Sequence, residues 1–270
     1  MAAPGTDMLA RIAAERRREI EARKTRTPSH ELRARLPAAR PLGRFERALR
    51  RGGPEGALKL VCEIKRASPS RGMLREDLDP VATAKLYEAG GAAAISIVTE
   101  PAHFHGQLEW VDAVRPAVRI PILLKDFVLD SWQLLDAAAR GADAVLLIAA
   151  ILSEVQLQRL IGEARLLGLD CLAEVHTEDE LRGALRAGAT VVGINNRDLR
   201  TLEVDPETSI ALLPRVPPLV TAVAESGIAT PEALARLRAT RCDAVLMGEV
   251  FMTSEDPAAT LRTLAAAARG

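Results

Sequence analysis

Three features of the sequence predict an α/β fold, a (β/α)8 barrel carrying an N-terminal helical extension. First, a helix-end glycine running at once into a branched apolar stretch recurs in YEAGGAAAISIVTE (87–100), AARGADAVLLIAA (138–150) and LRAGATVVGINN (185–196). Glycine just past a helix and followed by a strand is the αβ turn of alternating folds. Second, the apolar runs are short and continuous, the pattern of parallel strands covered on both faces. Third, eight strand–helix units of roughly 20 to 35 residues follow one another without a linker, which favours a barrel over a doubly wound open sheet, the alternative fold.

In chain order, residues 1–50 form the extension and 51–270 a single barrel domain. In the segment from Asp7 to Lys24, Leu9, Ile12, Ala13, Arg16 and Ile20 fall on one helical stripe. The run Arg16, Arg17, Arg18 is interleaved with Glu15, Glu19 and Glu21, which reads as a solvated helix face and not as a nucleic-acid arm. Strands are expected at 58–65, 93–98, 121–127, 144–150, 170–175, 191–196, 219–225 and 244–248. Helices are expected between them at 79–89, 106–115, 131–140, 153–167, 177–187, 205–213, 231–239 and 256–268. Asp79-Pro80, Asp205-Pro206, Thr230-Pro231 and Asp256-Pro257 each supply a cap followed by a first-turn proline. RATRCDAVLMGE (238–249) repeats the glycine junction with Arg241 in glycine's place.

Composition narrows the function. Hydrophobic residues are 48% of the chain, charged residues 27% and aromatics 3%, so a packed, mainly aliphatic core is expected. Lys+Arg and Asp+Glu balance at 36 each, leaving no net field to draw nucleic acid or an anionic membrane. Cys62, Cys171 and Cys242 are odd in number and sit inside apolar runs, which suits reduced thiols better than disulfides or a metal knuckle. No apolar run reaches the roughly 18 to 20 residues of a membrane span, and the N-terminus lacks the pattern of a cleaved signal. A cytoplasmic protein is expected. His103 and His105 in HFHG have no third histidine or cysteine nearby, so a loop position and no metal are expected.

Barrel active sites lie at the C-terminal ends of the strands. Seven of the eight expected strands end in ionisable or amide residues: Glu63 and Lys65 with Ser68; Glu100; Lys125 and Asp126; Glu174; Asn195 to Asp198; Glu225 with Ser226 and Gly227; Gly248 and Glu249. Singly buried charges cost several kcal/mol each, so these groups should converge on one another and on a ligand. Each alone has a structural reading. Lys125 and Asp126 could pair at a strand end, Asn195 and Asn196 could make a turn, and Glu174 and Glu225 could cap helices, although Thr177 and Thr230 are better placed. Lysines and glutamates at matching ends of the first, third and fifth strands favour a site. The loops after the last two strands are placed to offer backbone N–H groups to a phosphate. Dinucleotide and nucleotide-triphosphate glycine motifs are absent. Met247 and Met252 read as core.

EIKRASPSRG, KDF (125–127), AEVH (173–176), GINNRDL (193–199), AESGI (224–228) and LMGE (246–249) together resemble the indole-3-glycerol phosphate synthase family of tryptophan biosynthesis. The resemblance spans about residues 6 to 268, with the motifs in family order. It implies a carboxy-lyase that converts 1-(2-carboxyphenylamino)-1-deoxyribulose 5-phosphate to indole-3-glycerol phosphate, carbon dioxide and water, without cofactor or metal. It implies Lys125 as the general acid of ring closure, Glu174 as the fifth-strand catalytic carboxylate, and Glu63 with Lys65 as the pair assisting dehydration. It also implies Ser68, Phe127, Asn195, Arg197 and Glu225 as substrate-binding, and Ser226, Gly227, Gly248 and Glu249 as phosphate-binding. RASPSRG becomes a loop that closes over substrate. The expected partner is a phosphorylated small molecule, with no nucleic acid and no membrane, on a monomer or weak homo-oligomer. Arg71 stands where many members have lysine, and GEVFM departs from the more usual small or leucine-rich ending. A sister phosphate-binding barrel such as phosphoribosylanthranilate isomerase, and a non-catalytic phosphometabolite-binding barrel, are the alternatives.

Overall fold

The computed structural model describes residues 8–37, 41–53 and 55–270. Its sheet consists of β1 (Lys59–Ile64), β2 (Ala94–Val98), β3 (Ile122–Lys125), β4 (Ala144–Ile148), β5 (Asp170–Val175), β6 (Val191–Asn195), β7 (Thr221–Glu225) and β8 (Ala244–Met247). Each strand pairs in parallel with the next and β8 pairs with β1, so the sheet closes and the open doubly wound alternative is excluded.

The closure follows from a two-residue period hidden inside the apolar runs. Val61, Ala94, Leu123, Leu146, Leu172, Val191, Val223 and Leu246 pack together in the barrel interior. Their immediate neighbours, such as Cys62, Ile95, Leu124, Leu147, Ala173, Val192, Ala224 and Val245, pack outward with the helices. Both faces are buried, so the alternation is one of destination and not of polarity.

The surrounding helices include α4 (Pro80–Ala89), α6 (Glu109–Val114), α7 (Ser131–Ala139), α8 (Glu154–Leu166), α9 (Glu178–Arg186), α10 (Glu207–Leu212), α11 (Pro231–Arg238) and α13 (Pro257–Arg269), with short α5 (Pro101–Phe104) and α12 (Glu249–Met252). Asp79, Thr177, Thr230 and Asp256 accept backbone N–H groups as N-caps, as their sequence positions imply. The expected helix at 106–115 is corrected. The Glu100 carboxylate accepts the N–H groups of Ala102, His103 and Phe104 and starts α5 early. His105 then stops it in the left-handed region, φ 52°, and α6 begins at Glu109. His103 is therefore helical and bonded to Glu15 at 2.7 Å, not in a loop. Arg241 caps chain carbonyls at Val216, Pro217 and Val220 and pairs with Asp243.

The N-terminal segment runs from the mouth of the barrel to its floor. α1 (Met8–Arg26) buries Leu9, Ile12, Ala13, Arg16 and Ile20, the stripe read from the sequence; Asp7 lies outside the described residues. Arg16 forks onto Asp126 at 2.9 and 2.7 Å, just past β3. α2 (Ser29–Ala34) sets Leu32 with Ile20 against Trp132 and Leu135 of α7. α3 (Arg44–Leu49) then inserts Phe45 and Leu49 into the interior cluster. It is held at the strand starts by Asp170, the first residue of β5, which accepts N–H from Gly43, Phe45 and Glu46. The three cysteines are free and buried, and Met247 and Met252 are core residues. Among the described residues no helix is long and apolar enough to cross a membrane.

Candidate active site

The interior period sets which side chains reach the mouth. Two residues beyond inward Val61, Leu123, Leu172 and Val223 come Glu63, Lys125, Glu174 and Glu225, and two beyond Glu63 and Lys125 come Lys65 and Phe127. Asn195 follows Val191 and Gly193 in the same way. These strand ends surround a cavity of about 610 Å³, within the usual size of a small-molecule site. Glu63, Lys65, Ser68, Lys125, Phe127, Glu174, Asn195, Arg197, Ser226, Gly227, Gly248 and Glu249 all line it. Glu225, fully buried, lies behind the wall and reaches the cavity through Lys125.

The charged centre is an interleaved array. Lys125 Nζ lies 3.1 Å from Glu63 Oε2 and 3.1 Å from Glu225 Oε2. Lys65 Nζ lies 2.8 Å from Glu63 Oε1. Burial alone would raise the Glu63 carboxyl, but Lys125 and Lys65 together hold it down at about 2. Burial opposes the Lys125 charge too, yet Glu63, Glu225 and Glu174 raise its proton affinity above the ordinary lysine value. Burial pushes Glu225 up to about 7, against Lys125 and with added repulsion from Glu174. Two glycines make the array possible. A Cβ on Gly248 would stand 2.8 Å from Glu63 Cβ and Oε1, and one on Gly193 would strike the Glu225 carboxylate. Gly248 therefore makes room for the Glu63 side chain, a duty beyond the expected phosphate contact.

Much of the rest of the wall is apolar. Met8, Leu9 and Ile12 of α1, Phe104, Leu146, Ile148, Leu199 and Leu202 line it, and the Phe104 and Phe127 rings lie 6.3 Å apart. Sequence reasoning missed this half. The signal was LLIAA, which ends without a polar group and places Leu146 and Ile148 inward on β4.

The segment RASPSRG folds into a hairpin, Ala67–Ser68 against Gly72–Met73. From it Arg71 Nε reaches Glu249 at 2.9 Å, while Arg197 contacts Ser70 Oγ at 3.2 Å and Glu249 Oε2 at 3.7 Å. Asn195 Oδ1 accepts the Arg197 N–H at 2.9 Å, setting the turn that aims the guanidinium. Ser226 and Gly227 both take the left-handed conformation, φ 61° and 70°.

Several strand-end polar groups serve the scaffold. Lys125 and Asp126 do not pair: Asp126 is taken by Arg16 and Thr99. Glu100 caps α5 with both oxygens. Asn196 bridges the Ser226 carbonyl and the Ser209 N–H, and Asp198 accepts the Arg200 N–H. Charge at a strand end is shared by cavity-lining and capping groups, so composition does not separate them.

Two lysines interleaved with three glutamates beside an apolar wall give this parallel barrel a candidate acid–base site at its mouth, the place where enzymes of the (β/α)8 class carry theirs. Residues 9–264 match the family model described as indole-3-glycerol phosphate synthase. The chain belongs to the indole-3-glycerol phosphate synthase family, carboxy-lyases of tryptophan biosynthesis. It is 45% identical over 251 residues to indole-3-glycerol phosphate synthase 1 of Streptomyces coelicolor, covering 93% of this chain and 92% of that one. It is 43% identical over 253 residues to the Koribacter versatilis synthase, with 94% and 96% covered. Among solved structures, KGPDC from Streptococcus mutans shares the fold with a TM-score of 0.62 at 12% identity, covering 78% of this chain and 97% of that one. A mandelate oxidase mutant does so at 0.61 and 17%, with 78% and 73% covered.

Proposed function

We propose that this chain converts 1-(2-carboxyphenylamino)-1-deoxyribulose 5-phosphate to indole-3-glycerol phosphate, with Lys125 as the acid of ring closure. The observation that carries the reading is Lys125 Nζ held 3.1 Å from two buried glutamates at the cavity wall. The aryl carbon bearing the carboxylate attacks the ketone, and the Lys125 ammonium gives its proton to the developing alkoxide. Carbon dioxide then leaves, its bonding electrons returning to the aryl ring. Loss of the hydroxyl as water takes a second proton, assigned to Lys65, while a glutamate removes the neighbouring carbon-bound proton.

Glu174 suits that last task. Glu63, held at about 2 between two lysines, is a poor base, whereas Glu174 Oε1 has no hydrogen-bond partner among the described residues. The aryl ring is assigned to Phe127 and its apolar neighbours, and the chain hydroxyls to Ser68 and Asn195. The phosphate is assigned to the turns at Ser226-Gly227 and Gly248-Glu249, beside Arg197. Glu225 binds substrate through its hold on Lys125. Residues 1–50 act as an extension of the catalytic unit 51–270, a reading supported by Met8, Leu9 and Ile12 on the cavity wall. Buried free thiols support a cytoplasmic location, where the chain acts as a monomer or weak homo-oligomer.

Replacing Lys125 with alanine is expected to cut indole formation by ~100-fold or more, the scale of a lost general acid. Indole fluorescence measures this and circular dichroism checks the fold; near-native turnover in a folded variant removes the role from Lys125.

A further inference from the structure

The proposed reaction consumes protons. The ketone oxygen departs as water and takes two, loss of the neighbouring ring proton returns one, and carbon dioxide carries none. Each turnover on the ionised substrate therefore draws one proton from solvent into a cavity roofed by α1 and the hairpin.

Behind Glu174 stands a side chain that the mechanism has not used. His176 Nε2 lies 3.7 Å from Glu174 Oε1, and His176 Nδ1 lies 3.4 Å from Glu180 Oε2 on α9. Neither His176 Nε2 nor Glu174 Oε1 has a hydrogen-bond partner among the described residues, although both atoms are buried. Two unsatisfied polar atoms facing each other are costly in a purely structural contact. Side-chain exposure rises along the row, from 2% at Glu174 to 12% at His176 and 14% at Glu180. Glu180 is fixed by the His176 backbone N–H, donated to Oε2 at 2.7 Å, and Arg200 lies 3.8 Å from its other oxygen.

We propose that His176, anchored by Glu180, is the positioning residue that aligns Glu174 and returns the solvent proton through it to the lysines. The proposal rests on the synthase reading. The imidazolium passes its Nε2 proton to Glu174 Oε1 and keeps Nδ1–H on Glu180, which anchors the ring; Nε2 takes its next proton from solvent when the ring swings away from Glu174, and from Glu174 the proton returns to the lysines. Burial opposes a charged His176, but Glu180, Glu174 and Glu225 outweigh it and raise its proton affinity above the ordinary histidine value.

The test uses the full chain with His176→Ala and His176→Gln, assayed from pH 6 to 9 with and without added imidazole, alongside thermal melts. The expected result is a fall in kcat of about tenfold, less than the ~100-fold cost of removing a direct acid or base, with KM preserved. Imidazole should restore the alanine variant. Wild-type kcat and pH profile in either folded variant, or an alanine variant that melts like wild type and gains nothing from imidazole, overturns the path. If the alanine variant does not fold, the glutamine variant decides, a wild-type rate refuting the proposal and a slow rate with unchanged KM and an altered pH limb supporting it. Absence of turnover in the wild type refutes the synthase reading itself, whereas an active wild type with indifferent His176 variants refutes only the proton path.

Discussion

Glu63 and Glu225 are the same side chain, both buried at strand ends and both on Lys125, yet they hold opposite proton preferences. Glu63 has Lys65 as a second cation and stays near 2; Glu225 has one shared lysine and the nearby Glu174 charge, and rises to about 7. A carboxyl raised on folding gives stability that is fully present below its unfolded value of 4.5 and is lost as pH rises through about 7. Glu63 is depressed, so its contribution is complete above 4.5 and lost only as pH falls toward 2. It does not change between pH 5 and 8. His176, raised, acts in the same direction as Glu225. Urea unfolding should therefore show lower stability at pH 8 than at pH 5, and Glu225→Gln should flatten most of that difference. The residue types were legible in the sequence, but their proton preferences depend on which cation each carboxylate meets.

A strand is the smallest unit that explains how the site is aimed. Inward positions on β1, β3, β5 and β7 carry valine or leucine at the barrel centre and Glu63, Lys125, Glu174 and Glu225 two residues on. The strand glycines belong to this scheme, because a carboxylate can lie across a neighbouring strand only where that strand lacks a Cβ. Gly248→Ala would place a methyl group 2.8 Å from Glu63 Cβ and Oε1. It should lower kcat by displacing Glu63 from Lys65 and Lys125. Steady-state kinetics with a melting curve checks this, and a variant with native kcat would show that Glu63 can move without cost. The helices were readable from Asp-Pro and Thr-Pro starts, whereas α5 was not, because its cap is the side chain of Glu100 at the end of a strand.

At the scale of the whole molecule, the N-terminal segment belongs to both ends of the barrel. α1 contributes Leu9 and Ile12 to the mouth, and α3 fills the floor with Phe45 and Leu49. Phe45 is fully buried, so Phe45→Ala should cost about 3–5 kcal/mol of stability while leaving the distant mouth intact. Denaturant unfolding together with kcat measures this; a large loss of activity in the folded variant would mean that floor and mouth are coupled. What the amino-acid order determined alone was the repeating strand–helix unit, the caps, the helical stripe of α1 and the set of polar residues delivered to strand ends. These are local consequences of backbone geometry and side-chain period, complete within a few residues. Only the tertiary structure decided that Lys125 pairs with Glu63 and Glu225 and not with its neighbour Asp126, which goes to Arg16, 110 residues away. Closing the sheet sets distant strand ends side by side, and Coulomb attraction in a space with little water then selects partners by distance across the barrel, which the order of residues along the chain does not record.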